Sequence, residues 1–131
     1  SIDLLPTISA AAGIEVKHAI DGIDLRPAFD DQPLGRDSLF WHYPHYSNQG
    51  GFPGGAIRRG NYKLVERYED GRIHLFNLKK DAGEQTDLSD EMPDLVKSMR
   101  AELHDWYLSV DAKFLQPKDG QIPWNPKSNR P

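Results

Sequence analysis

Two turn dipeptides ten residues apart, Gly60-Asn61 and Asp70-Gly71, constrain this chain more than any other feature. Each lies between runs that read as strands. Ala56-Ile57-Arg58-Arg59 precedes the first, Tyr62-Lys63-Leu64-Val65-Glu66-Arg67-Tyr68 joins the two, and Arg72-Ile73-His74-Leu75-Phe76-Asn77 follows the second. Glycine supplies the positive φ that a tight hairpin needs, and its Asn or Asp neighbour tolerates the same region. Strands joined this closely are antiparallel. Ser38 to Tyr43, mostly apolar and aromatic, is a further candidate strand, and Tyr46 to Gly55 reads as a glycine-rich loop.

A long amphipathic segment follows. Pro93 suits the first turn of a helix. From there Leu95, Val96, Met99, Leu103, Trp106 and Val110 recur at three- and four-residue steps, the period of a helix with one apolar face. The spacing predicts a helix over 93–110 lying on the sheet. A shorter helix is expected over Asp3 to Ala12, where Leu4, Leu5 and Ile8 share a face and Gly13 is placed to end it. Residues 14–37 show no clean period and read as an ordered surface connection. Residues after Asp111 read as an extended tail with Trp124 as a candidate anchor. The expected class is α+β: a small antiparallel sheet of three to four strands packed against one long C-terminal helix, with a short N-terminal helix and irregular connections.

At 131 residues the chain is one domain's worth of polypeptide, and no apolar run reaches the ~18 residues of a membrane span. A net charge of -4 disfavours general nucleic-acid binding. With no cysteine, disulfides, thiolate metal sites and thiol nucleophiles are absent from this stretch. No Gly-x-Ser-x-Gly, His-Glu-x-x-His or phosphate loop occurs, and the acidic loops around Asp30 and Asp81 miss the calcium-loop pattern. Chemistry concentrates in Trp41-His42-Tyr43-Pro44-His45-Tyr46. Imidazoles donate, accept or ligate near neutral pH. On a straight strand His42 and His45 point to opposite faces, and Pro44 supplies a bend that lets them converge. Either they contact a ligand between the walls of Tyr43 and Tyr46, or they bond to backbone inside an aromatic patch. Two imidazoles fall short of the three or four ligands a metal site requires. Arg58, Arg59, Lys63, Arg67 and Arg72 make the strands basic; strand alternation points Lys63 and Arg67 at water.

Several stretches, in order, resemble the sulfatase family. Asp3-Leu4-Leu5-Pro6-Thr7-Ile8, Ala12-Gly13-Ile14 and Asp21-Gly22-Ile23-Asp24-Leu25 are similar to the last helix of the catalytic domain and its following loop. Phe40 to Tyr46 resembles the strand that enters the C-terminal subdomain, and Ala56 to Leu64 its central hairpin. Leu75-Phe76-Asn77-Leu78, Asp81-Ala82-Gly83-Glu84-Gln85 and Asp87-Leu88 resemble the loop before its final helix, with Ala82 where proline is usual and Thr86 where asparagine is common.

The resemblance implies a parent hydrolase of sulfate esters that works through a formylglycine beside a calcium ion. Neither the motif that yields the formylglycine nor the calcium ligands have a match here, so the chain is expected to be a catalytically inert C-terminal part. It implies residues 1–37 as the end of the catalytic domain, 38–110 as the C-terminal subdomain and 111–131 as a tail. His42, His45, Tyr43 and Tyr46 are then expected to line a substrate pocket for a sulfated sugar or aryl ester. The missing N-terminal catalytic domain is the expected partner, with no nucleic acid and no membrane, and a periplasmic or secreted parent. Leu4, Leu5, Ile8 and one sheet face are expected to expose apolar surface, allowing the isolated chain to self-associate. Two alternatives stay open: a stand-alone anion- or glycan-binding module using the Trp41–Tyr46 aromatics and the basic strands, and the C-terminal part of a related phosphonate or phosphate monoester hydrolase.

Overall fold

The computed structural model of the chain describes residues 2–48 and 50–116; Trp124 and the rest of the expected tail beyond Gln116 lie outside them. The chain divides into two compact units, Ser1–Asp37 and Ser38–Pro131.

In the first unit, helix α1 spans Leu4–Ala11. The following residues are clasped to it by polar groups. The Asp3 carboxylate accepts from the Ile23 backbone N–H (2.9 Å) and from both terminal nitrogens of Arg36 (2.7 and 2.9 Å). Those bonds, the Arg36 guanidinium first, hold the Asp3 carboxyl below its ordinary range. Thr7 Oγ1 accepts from the Leu25 N–H, and Arg26 Nη1 donates to the Ala10 carbonyl, each at 3.0 Å. A four-residue helix, α2 (Arg26–Phe29), lies in the stretch expected to be irregular. One turn is too short to write a period, and only Pro27 near its start marks it. Leu4, Leu5 and Ile8 are 57%, 52% and 64% exposed, as their shared face led us to expect.

The second unit is a four-stranded antiparallel meander in the order β1-β2-β3-β4. The strands are Ser38–Tyr43, Gly54–Arg59, Tyr62–Arg67 and Ile73–Asn77. The turns fall at Gly60-Asn61 and Asp70-Gly71, with φ +57° at Gly60 and +69° at Gly71, as the dipeptides require. The register aligns Phe40, Ile57, Leu64 and Leu75 across all four strands. That row faces helix α3, Pro93–Ser109.

Ile57, Leu64, Leu75, Met99 and Leu103 are fully buried and Tyr107 nearly so. Each aliphatic side chain contributes roughly 1.5–3 kcal/mol by burial. The helix face is rotated from the sequence expectation. Met99, Leu103, His104 and Tyr107 are its buried residues, whereas Val110 is 51% exposed. The steps of four from Met99 set the contact line and carry Tyr107 inward. Trp106 stays half-buried beside it, stacked on Phe40 with ring centroids 5.0 Å apart.

One ion cluster keys the helix to the sheet. Glu66, fully buried on β3, accepts from Arg100 Nε and pairs with His104 Nε2, each at 2.7 Å. Burying such a group is costly unless both carboxylate oxygens find partners, and here both do. The loop from Lys79 to Met92 covers the outer edge of β4. The Leu75 N–H donates to Asp87 Oδ1 (3.0 Å), and the Leu88 N–H donates to the Leu75 carbonyl (2.8 Å). Burial alone raises the Asp87 carboxyl, but the Leu75 and Ser89 N–H groups, the His74 ring and the Ser89 hydroxyl bring it down to about 2. Covering an edge in this way blocks pairing with foreign strands.

Candidate site at the end of strand 1

Strand alternation splits the opening aromatic run between the two sheet faces. His42, opposite Gly55 in the β1–β2 register, points to the helix side. Its Nε2 lies 2.8 Å from the Lys113 carbonyl and its Nδ1 2.6 Å from the Tyr68 hydroxyl. A carbonyl only accepts, so Nε2 carries the proton. Burial, with a smaller contribution from His45, keeps the ring below its ordinary pKa and therefore neutral at pH 7. Nδ1 then accepts from Tyr68, whose oxygen lies 2.9 Å from that of Tyr107. Burial raises the pKa of both phenols, so both stay protonated. Phe114 closes over this chain with its centroid 4.8 Å from His42 and 5.2 Å from Tyr68 and Tyr107. Sequence reasoning missed Phe114 because nothing periodic surrounds it.

Gly55 makes the arrangement possible. A Cβ there would stand 1.7 Å from the Tyr107 hydroxyl oxygen and 2.5 Å from that of Tyr68.

The other expected site residues are elsewhere. Tyr43, on the outward face, is 51% exposed. Strand β1 ends with it, and the chain turns through Pro44. The exposed His45 ring then meets Tyr43 edge to face at 5.5 Å. Tyr46, 65% exposed, donates from its hydroxyl to Glu69 Oε1 at 2.9 Å. The structure thus brings Tyr43 and His45 together, leaves Tyr46 next to the β3–β4 turn, and sends His42 to the opposite side of the sheet.

The outward face also carries a concavity of about 440 Å³, lined by Trp41, Phe52, Ala56, Arg58, Lys63 and Glu84 among others. Trp41 is 49% and Phe52 37% exposed. The basic strand residues are more engaged than alternation alone suggested. Lys63 bonds Glu84 at 2.6 Å and Arg59 bonds Glu102 at 2.8 Å. Arg67 bonds Glu69 at 3.0 Å. With side-chain exposures of 28% and 25%, Lys63 and Arg67 do not simply point at water: long side chains lay their stems along the sheet while the heads reach carboxylates on neighbouring turns. Arg58, exposed, has no carboxylate partner among the described residues.

Among the described residues no group of three or more His, Cys, Asp or Glu side chains could hold a metal ion. The donors for calcium and the precursor of formylglycine do not fit onto this stretch, and no chemical step is derived through either. No described helix is long and apolar enough to cross a membrane.

The described residues of the second unit form an antiparallel meander braced by one helix, with aromatic and basic groups on the face away from that helix. Residues 1–109 match the family described as N-sulphoglucosamine sulphohydrolase, C-terminal, and the chain belongs to that family. It is 32% identical over 129 residues to a sulfatase of Formosa agariphila, covering 86% of this chain and 23% of that protein. It is 30% identical over 95 residues to a delta 4,5-hexuronate-2-O-sulfatase of Bacteroides thetaiotaomicron, covering 68% of this chain and 19% of the relative. The solved structure of a 2-O GAG sulfatase shares its fold with TM-score 0.71 at 24% identity, over 95% of this chain and 29% of that one. The chain therefore spans about a fifth to a quarter of the curated relatives it matches.

Proposed function

We propose that this chain is the C-terminal part of a sulfatase acting on a sulfated saccharide, and that the residues performing the hydrolysis belong to polypeptide N-terminal to Ser1. The carrying observation is the family match over residues 1–109 set against the small share of each relative that the chain spans. On this reading residues 1–37 end the catalytic domain, and calcium and formylglycine belong to that domain. The chain alone is inactive.

In the same reading the outward end of β1 forms part of the pocket wall. Tyr43 and His45 offer a ring face and an exposed imidazole, and Tyr46 offers its ring. A sugar presents CH faces to such rings and hydroxyl or charged groups to the polar atoms between them, a common composition for a saccharide site. His42 enters as the inner brace of that wall, because both its nitrogens are engaged on the helix side.

The test is kinetic, on the full-length protein. His45→Ala should lower kcat/KM for a sulfated disaccharide by about tenfold, the loss of one directed contact, and change a small aryl sulfate by less than about twofold. Equal, negligible changes on both substrates would remove the pocket-wall role. Turnover of either substrate by residues 1–131 alone would overturn the assignment of the chemistry to upstream polypeptide.

A further inference from the structure

The segment between β1 and β2 contains Gly50 and Gly51, both at positive φ (+92° and +97°), where the backbone has little intrinsic preference. Its two shoulders are nevertheless fixed. On the β2 side the Phe52 ring lies over Gly54, where an added Cβ would stand 3.2 Å from the ring. Arg67, directly opposite Gly54 in the register, covers that ring with its guanidinium carbon 4.5 Å from the centroid. The Pro53 carbonyl accepts from the Tyr68 N–H at 3.0 Å. On the β1 side the Tyr46 hydroxyl donates to Glu69 at 2.9 Å. The same Glu69 carboxylate joins the two shoulders: Oε1 accepts from Tyr46, and Oε2 accepts from Arg67 Nη2 at 3.0 Å.

We infer that Glu69 is a positioning residue. It clamps the shoulder carrying His45 and Tyr46 to the Arg67–Phe52 stack, and so sets where the ring faces of the proposed saccharide wall stand. The inference rests on the pocket-wall reading for its effect on substrate, but the clamp itself does not. Three observations meet in it. A single carboxylate spends one oxygen on each shoulder. The ring that the arginine holds lies over Gly54, where a Cβ would stand 3.2 Å from it and 2.8 Å from the Glu66 carbonyl oxygen. The Tyr46 hydroxyl is committed to the protein, so its ring, 65% exposed, is what remains to face a ligand. Sequence gave no hint of this, since Glu69 sits beside a turn dipeptide where an exposed carboxylate is ordinary.

The experiment uses the full-length protein with Glu69→Ala, Glu69→Gln and His45→Ala. Deuterium uptake is followed in the peptides carrying Tyr46 and Phe52, and KM and kcat are measured on a sulfated disaccharide and a small aryl sulfate. Glu69→Ala should speed uptake in both peptides and raise the disaccharide KM about three- to fivefold with kcat within about twofold, the scale of a partly exposed charged network. Glu69→Gln keeps an acceptor for Tyr46 but loses the charge facing Arg67, and should fall between. A structural lesion would instead lower kcat on both substrates. Unchanged uptake in Glu69→Ala overturns the clamp. Faster uptake with an unchanged disaccharide KM, while His45→Ala is impaired, overturns the positioning role and leaves the pocket wall standing. If His45→Ala is itself unimpaired, the pocket-wall reading fails and the positioning claim falls with it.

Discussion

Gly55→Ala is the most discriminating single change in this fold, because one methyl group tests the whole buried hydroxyl chain. The new Cβ would sit 1.7 Å from the Tyr107 hydroxyl oxygen, 2.5 Å from that of Tyr68 and 2.8 Å from Tyr107 Cζ. Ordinary contact begins near 3.4 Å, so the Tyr107 tip must move by well over an ångström. It has little room: Tyr107 is 1% exposed and meets Phe114 and Trp106 at centroid distances of 5.2 and 5.7 Å. Overpacking of this kind costs about 1–3 kcal/mol. Pulling the phenol from its partner leaves a buried polar group unpaired, about 1–3 kcal/mol more. The expected loss is therefore about 2–6 kcal/mol, read as the shift in urea midpoint at constant m-value. Gly35→Ala is the control, because a Cβ there meets nothing within 4 Å and its cost should stay within about 0.5 kcal/mol. The double variant carries the sharper result. Tyr107→Phe alone should destabilise by about 1 kcal/mol through the lost hydroxyl, yet in the Gly55→Ala background it should stabilise by removing the nearest clashing atom. Additive costs in that cycle would refute the packing argument, as would a Gly55→Ala protein as stable as the parent.

Two further outcomes follow from buried charge and from burial of an imidazole. Glu66→Ala should cost about 3–5 kcal/mol in chemical denaturation, because Arg100 and His104 lose the carboxylate that both face at 2.7 Å; Glu66→Gln should lie between that variant and the parent. The His42 ring is held below its ordinary pKa in the folded chain, chiefly by burial. The unfolded chain therefore takes up that proton first as pH falls, so this contribution to stability is complete above about pH 6.5 and is lost through the folded-state value. His42→Gln should flatten that limb of the stability profile, and a profile with the same slope in both proteins would show that another group carries it.

The fold was legible in the sequence where geometry is local. Gly60-Asn61 and Asp70-Gly71 fix hairpins through their own dihedrals, so the order β2-β3-β4 followed from short-range chemistry alone. The helix was legible from its period, but its exact face was not. Val110 and Tyr107 lie three apart at the helix end, and only the reach of the sheet beneath decides which is buried. His42 shows the same limit at the site. Its residue type announces proton chemistry, while its partners are the Lys113 carbonyl and the Tyr68 hydroxyl, 71 and 26 residues away. No spacing rule joins those positions. The resemblance of Phe40–Tyr46 and Ala56–Leu64 to sulfatases carried the family, because order and spacing over many short matches constrain descent more tightly than any one motif constrains chemistry.

That difference also explains the free face of the sheet. A face that carries Trp41, Tyr43 and Phe52 at about 40–50% exposure is poorly matched to water. On the helix side of the same sheet both oxygens of the buried Glu66 are engaged. The two faces thus answer to different requirements. The inner face must make the unit fold, and can be explained from residues 38–116. The outer face keeps apolar rings and an exposed Arg58 that has no carboxylate partner among the described residues. Groups kept against the solvation preference of their own domain are understood by what they meet, and on the proposed reading that is a saccharide and polypeptide upstream of Ser1.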